Sequence, residues 1–281
     1  MHPPREPLPG DSSKPPSLRV AAVQMVSTPR VDENLSAAAR LIDEAVAQGA
    51  EMVALPEYFA IMGLAEGDKV RVRESDGGGP IQDFLAACAM EHRIWLIGGS
   101  LPLCSDYPDK VLNSSLAYNP QGQRVARYDK IHLFGFRQGS ECYDESATIE
   151  AGRQPVAFAT PFGRIGLSIC YDLRFPELYR ALGATDLLVI PAAFTETTGR
   201  AHWEILLRAR AIENQCYVLA VAQGGRHENG RETHGNSMLI DPWGSILDRR
   251  LKGPGIVIGD LERVRLTEVR TSLPALGHRV M

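Results

Sequence analysis

GRIGLSICYDLRFPELYR, residues Gly163–Arg180, is the stretch on which the reading of this chain turns. Ile165, Leu167 and Ile169 alternate with small or polar residues, which predicts a strand. The chain then turns at Cys170-Tyr171-Asp172. A short helix follows, with Pro176 suited to its first position, Leu178 and Leu182 on one face, and Gly183 as the stop. A cysteine between a strand and a helix N-terminus sits where backbone N–H groups converge. Such a position is expected to lower a thiol pKa and can hold a developing oxyanion. The competing reading is a buried core cysteine.

The same rhythm extends outward. Leu18–Met25 predicts the first strand. Glu33–Gln48 follows as an amphipathic helix with Leu35, Ala38, Leu41, Ile42 and Ala45 on one face. Met52–Leu55 is a short buried strand running into Pro56-Glu57-Tyr58-Phe59, and residues 63–80 form a surface loop. Ile81–His92 predicts a helix and Ile94–Gly98 a strand. A hairpin is expected between Asn113–Tyr118 and Gln123–Tyr128, followed by an irregular segment over residues 131–150 of the length that tends to carry function. Beyond the central stretch, Asp186–Ala193 is a strand. His202–Gln215 is a helix with Ile205, Leu206, Ala209 and Ile212 inward. Tyr217–Ala222 is another strand, and further short strands and a terminal helix near Leu261–Arg270 close the chain. Strands and helices alternate, but two hairpins interrupt the βαβ pattern, which favours a layered α/β sandwich with mixed sheets. No repeat or linker divides the chain.

The 281 residues are 44% hydrophobic and 23% charged, with a formal net charge of −4. That is enough for a sizeable core, and the slight acidity gives no reason to expect nucleic acid or an anionic membrane as partner. The five cysteines are scattered, without a C-x-x-C pair, so neither a disulfide framework nor a structural zinc site is indicated. No apolar run reaches the roughly 18 residues of a membrane span. Residues 1–17 are proline-rich and polar, read as a disordered tail ahead of one domain over 18–281, and lack the apolar core of a secretory signal. A reducing cytoplasm is the expected location.

Three residues share one trait. Glu57, Lys130 and Cys170 each lie where a predicted strand runs out, and in α/β sheets side chains from distant segments converge at those ends. A thiol needs a base, a role a carboxylate can take. Acyl transfer also needs oxyanion stabilisation, which an ammonium and a backbone N–H can supply. Each has a bland alternative: a capping or solvated glutamate, a surface lysine, a packed cysteine. Glu177 reads as a first-turn glutamate. His132, His202 and His234 lack ligand spacing and read as structural.

LPEYF at Leu55–Phe59, YDKIHLF at Tyr128–Phe134 and GLSICYDLRFPE at Gly166–Glu177 together resemble the nitrilase superfamily, or carbon–nitrogen hydrolases, from about Leu18 to the C-terminus. The resemblance implies a four-layer αββα sandwich, a Glu–Lys–Cys triad and pairing into homodimers or higher homo-oligomers, with no cofactor and no metal. On this sequence Cys170 is the nucleophile and Glu57 the general base. Lys130 is the oxyanion cation, with the Tyr171 backbone N–H as co-donor. The family's second glutamate is matched best by Glu145, with Glu141 close enough to compete.

The stretch Ala193–His227, followed by GNSMLIDPWG, is similar to the branch containing deaminated glutathione amidase and omega-amidase. That implies a small-molecule amide substrate bearing a carboxylate, deaminated glutathione first. 2-Oxoglutaramate and N-carbamoyl amino acids are the alternatives. Arg174 is the candidate cation for the carboxylate, unless it bonds local carbonyls or Asp172, and Phe194 and Thr195 are expected to line the same pocket. The loop GFRQGSECY, Gly135–Tyr143, departs from the pattern of omega-amidase. The reading from another class is a catalytically idle scaffold, against which the three intact residues argue.

Overall fold

The computed structural model describes residues 17–139 and 141–280. The first sixteen residues of the expected tail lie outside the described residues, and Ser17 opens the first strand. The chain runs β1 (Ser17–Gln24), α1 (Val31–Ala47), β2 (Met52–Ala54), α2 (Asp68–Arg71), α3 (Pro80–His92) and β3 (Trp95–Ile97). β4 (Leu101–Cys104), β5 (Val111–Tyr118), β6 (Arg124–Asp129), β7 (Gly135–Gln138), β8 (Glu141–Asp144) and β9 (Ile149–Glu150) follow. Next come β10 (Val156–Ala159), β11 (Arg164–Leu167), α4 (Pro176–Ala181), β12 (Leu187–Ala192), α5 (Glu196–Asn214) and β13 (Tyr217–Ala222). β14 (Ser237–Ile240), β15 (Ile246–Arg250), β16 (Gly255–Glu262) and α6 (Arg263–Ser272) complete the order.

Two sheets result. One has the order β16-β1-β2-β3-β5-β4, with β6 and β9 also paired to β5; the other runs β10-β11-β12-β13-β14-β15. Each is built on three parallel strands, β1–β2–β3 and β11–β12–β13, extended by antiparallel partners.

The two-residue period of β1 assigns the layers. Ala21 and Val23 pack with Ala38 and Ile42 of α1 and with Ile81 and Leu85 of α3. Val20 and Ala22, facing the other way, join a core shared with Leu167, Val189 and Leu219 of the second sheet. Leu178 of α4 and Trp203, Leu207 and Ala211 of α5 belong to that same core and cover the second sheet. The order is helix, sheet, sheet, helix, as the resemblance implies.

Three local expectations are corrected. α5 begins six residues early, because Thr195 caps it by accepting from Thr198 N at 3.3 Å. Its inward face is Trp203, Leu207 and Ala211, spaced four apart, while Ile205 and Ile212 are 70% and 49% exposed. The segment 131–150 is not irregular: β7 and β8 pair antiparallel, with Phe136 opposite Tyr143. A two-stranded ribbon outside the core leaves little hydrophobic alternation to read. The loop 63–80 contains the single turn α2.

One glycine fixes the geometry near the first motif. Gly99 has φ +52°, and a Cβ there would lie 2.1 Å from the Pro56 carbonyl oxygen. That close approach lets the chain after β3 pack directly behind Pro56-Glu57.

Candidate active site

Glu57 follows β2 and is almost fully buried. Its carboxylate accepts from three donors: Asn113 Nδ2 to Oε1 at 3.1 Å, Lys130 Nζ to Oε1 at 2.8 Å, and the Ala193 backbone N–H to Oε2 at 2.9 Å. Its own carbonyl accepts from Gln223 Nε2 at 3.1 Å. The next residue, Tyr58, has φ +57°, a left-handed conformation that costs a residue with a Cβ on the order of 1–3 kcal/mol. Surrounding contacts hold it, including Tyr58 N to Ser100 Oγ at 3.1 Å.

Lys130 follows β6 and has no exposed surface. Besides Glu57, its ammonium reaches Glu145 Oε2 at 2.8 Å and Oε1 at 3.0 Å. Burial works against the Lys130 charge, yet the two carboxylates outweigh it and hold the ammonium's pKa above its ordinary value. Burial likewise opposes ionisation of Glu145, but Lys130, the Phe134 N–H and the Tyr58 hydroxyl bring its carboxyl below the usual range. The latter two donate at 2.7 and 2.8 Å. Glu145 is therefore the glutamate that meets Lys130. Glu141 stands in β8, paired through its backbone with Gln138.

Cys170 has φ +51°, is 6% exposed, and opens a 3-10 turn over Cys170–Arg174. The N–H groups of such a first turn have no partner within the turn, and Tyr171 contributes one of them. The expected lowering of the thiol pKa does not occur. Burial pushes it well above its ordinary value, Glu57 and Glu145 add to this, and Lys130 and the Ala193 amide oppose it without prevailing. Two carboxylates around one ammonium disfavour a further negative charge beside them.

Asp172 ties the cysteine turn to the lysine strand. Its Oδ2 accepts from Ile169 N at 2.8 Å and from the Tyr128 hydroxyl at 2.6 Å. Its Oδ1 accepts from His132 N at 3.0 Å and lies 2.7 Å from His132 Nδ1. His132 also stacks on Phe175 with ring centroids 3.7 Å apart. His202 lies 3.2 Å from Arg174 and His234 3.2 Å from Glu196, both through Nδ1. The three histidines thus support neighbours, and among the described residues no group of three or more His, Cys, Asp or Glu side chains could hold a metal. Glu177 is an exposed first-turn residue of α4.

A narrow slot holds Cys170, Tyr171, Arg174, Phe194 and Thr195 together, so every residue expected at the pocket reaches it. Arg174 does not bond Asp172; it lies over the rings of Phe194 and Tyr171 at 5.3 and 5.7 Å. The slot opens past Phe134, Glu145 and Arg231 into a wider cavity of about 540 Å³. Arg231, which no sequence motif marks, lines both spaces. It stands in the charged loop HENGRETHG, where nothing in the spacing singles it out.

A buried carboxylate, an ammonium and a thiol on three strand ends, with an amide-lined turn at the thiol, form a constellation suited to acyl transfer. The family model for carbon–nitrogen hydrolases matches residues 19–271. The chain belongs to the carbon–nitrogen hydrolase family. A deaminated glutathione amidase from Synechocystis is 46% identical over 92% of this chain and 97% of its own length. The human deaminated glutathione amidase is 38% identical over 92% of this chain and 81% of its own. Among solved structures, a Saccharomyces cerevisiae member of branch 10 of the nitrilase superfamily superposes with a TM-score of 0.85 at 29% identity. That match covers 94% of this chain and 97% of the yeast protein. The idle-scaffold reading falls: the chain is a hydrolase of carbon–nitrogen bonds.

Proposed function

We propose that this enzyme hydrolyses the linear amide of deaminated glutathione through a Cys170 thioester. The observation that carries the chemistry is the Lys130 ammonium held between Glu57 and Glu145 beside the buried thiol. The substrate reading rests on the two relatives named for that activity.

Glu57 takes the thiol proton as Sγ attacks the amide carbonyl carbon. The oxyanion that forms is stabilised by the Lys130 ammonium and the Tyr171 N–H. Glu57 returns the proton to the amide nitrogen, the C–N bond breaks, and the amine departs from a thioester. Water then gives a proton to Glu57 and attacks the thioester. The second tetrahedral species collapses to a carboxylic acid, and the Cys170 thiol recovers its proton. Glu145 positions Lys130 throughout. Arg174 binds the keto-acid carboxylate, with Phe194 and Thr195 shaping the slot around the acyl chain.

We also propose a homodimer or higher homo-oligomer working in a reducing cytoplasm. Exposed Ile212 on α5, Trp243, and Val264 on α6 support the first, and five free thiols the second. No helix among the described residues is long and apolar enough to cross a membrane.

Steady-state hydrolysis of deaminated glutathione against 2-oxoglutaramate tests the reading, with Cys170→Ala as control. The expected result is a kcat/KM ratio of at least about tenfold for deaminated glutathione, equal to about 1.4 kcal/mol, and an inactive variant. A preference for 2-oxoglutaramate makes the enzyme an omega-amidase instead.

A further inference from the structure

Arg231 is a guanidinium at the active site with no acid of its own. Its Nη2 donates to the Ala193 carbonyl at 2.6 Å and its Cζ lies over the Tyr143 ring, 5.2 Å from the ring centre. Its Nε is buried without a hydrogen-bond partner, and among the described residues no carboxylate pairs with it. Arg231 is partly buried, and its Nε is sealed from water with no acceptor, so that end of the guanidinium is incomplete, because polar groups taken from water need a counter-charge or a hydrogen bond.

The loop around it is built to hold the position. Arg231 N donates to Asn229 Oδ1 at 2.9 Å, His227 N donates to the Arg231 carbonyl at 2.9 Å, and the backbones of Arg226 and Glu232 pair in an isolated antiparallel β-bridge. The acids of the neighbouring wall are already engaged. Glu66 pairs with Lys69 at 2.6 Å, Glu145 with Lys130, and Glu232 with Lys252 at 3.6 Å, while Asp144 accepts from Ser146. Arg231 remains as the cation facing both the Cys170 slot and the wide cavity.

We propose that Arg231 binds a second carboxylate, carried by the amine half of the substrate, and that the wide cavity is the leaving-group site. The inference rests on the amidase reading above and deepens it. Deaminated glutathione is anionic at both ends, a keto acid on the acyl side and a glycine carboxylate beyond the scissile nitrogen. The acyl half stays on Cys170 in the narrow slot beside Arg174. The dipeptide half must leave through open space, and a cavity of about 540 Å³ at the slot mouth accommodates it. 2-Oxoglutaramate releases ammonia and has nothing to offer Arg231. The arginine therefore separates the two substrates.

The test compares deaminated glutathione with its C-terminal carboxamide in the wild-type enzyme, Arg231→Gln and Arg231→Lys. A charge-assisted contact predicts a wild-type kcat/KM ratio of acid to carboxamide of about 10 to 100. The ratio collapses toward one in Arg231→Gln and is intermediate in Arg231→Lys, which keeps the charge and serves if the glutamine variant does not fold. A wild-type ratio near one overturns the proposal. So does a ratio retained in the variants while both substrates slow together, since Arg231 would then act only through the Ala193 carbonyl. If the wild-type enzyme hydrolyses 2-oxoglutaramate but neither glutathione derivative, the substrate reading itself fails and takes this inference with it.

Discussion

Tyr128 donates its hydroxyl to Asp172 at 2.6 Å, so the residue two before the lysine holds the residue two after the cysteine. Both side chains are buried, and Asp172 also receives His132 and the Ile169 N–H. The triad is aligned by this link between two sheets. Tyr128→Phe removes one donor from a buried carboxylate and is expected to cost about 1–3 kcal/mol of stability. kcat is expected to fall with little change in KM, because the change shifts Cys170 against Lys130 without touching the pocket. Chemical denaturation and steady-state kinetics on the same preparation check both.

Glu145 accepts from Lys130, Tyr58 and the Phe134 N–H at once. Glu145→Gln leaves Lys130 paired with Glu57 but free to swing, so kcat is expected to drop by roughly 10²- to 10³-fold, the range for a displaced oxyanion donor. Glu145→Asp should recover part of it. A glutamine variant with unchanged kcat would assign Glu145 to structure alone.

Stability carries a pH signature in His227. Its Nδ1 lies 2.9 Å from the Ser27 carbonyl oxygen and its Nε2 2.9 Å from Thr233 Oγ1. Burial holds the ring's pKa below its usual 6.5, with Arg231 adding to this and the Ser27 contact opposing it. The folded protein then binds fewer protons than the unfolded chain, so stability is full above about pH 6.5 and falls as pH drops through the folded value. Tm measured from pH 8 to 5 should decline below that point, and His227→Gln should flatten the decline. An unchanged slope would point to another group.

Gly99→Ala places a methyl 2.1 Å from the Pro56 carbonyl in a left-handed conformation. The expected outcome is a loss of at least about 1–3 kcal/mol and weakened activity, because the displaced backbone carries Glu57. Thermal unfolding is the direct measure.

Much of this was legible in the sequence because strand ends are. Glu57, Lys130 and Cys170 each follow a short apolar run closed by a turn, and the alternation Val20–Val23 already sorts β1 between two layers. What was not legible depends on contacts across the fold. Ile205 and Ile212 are apolar at helical spacing yet face outward, since α5 begins at the Thr195 cap and its inward stripe is Trp203, Leu207 and Ala211. In the sequence Asp172 offers itself only as a partner for Arg174, whereas its side-chain partners Tyr128 and His132 lie about 40 residues upstream. The thiol's raised pKa comes first from burial and then from Glu57 and Glu145, brought in from distant segments, which Lys130 and the Ala193 amide only partly oppose. Arg231 acquires meaning only from the cavity it faces and the acid it lacks.

The central claim is that Cys170 carries the acyl group. Rapid quenching of the enzyme with deaminated glutathione, followed by mass spectrometry of its peptides, tests it most directly. The account predicts a 2-oxoglutaryl adduct on the Cys170 peptide, formed and discharged at a rate consistent with kcat and absent in Cys170→Ala. An adduct on Cys104 or Cys142, or full turnover by Cys170→Ala, would contradict it.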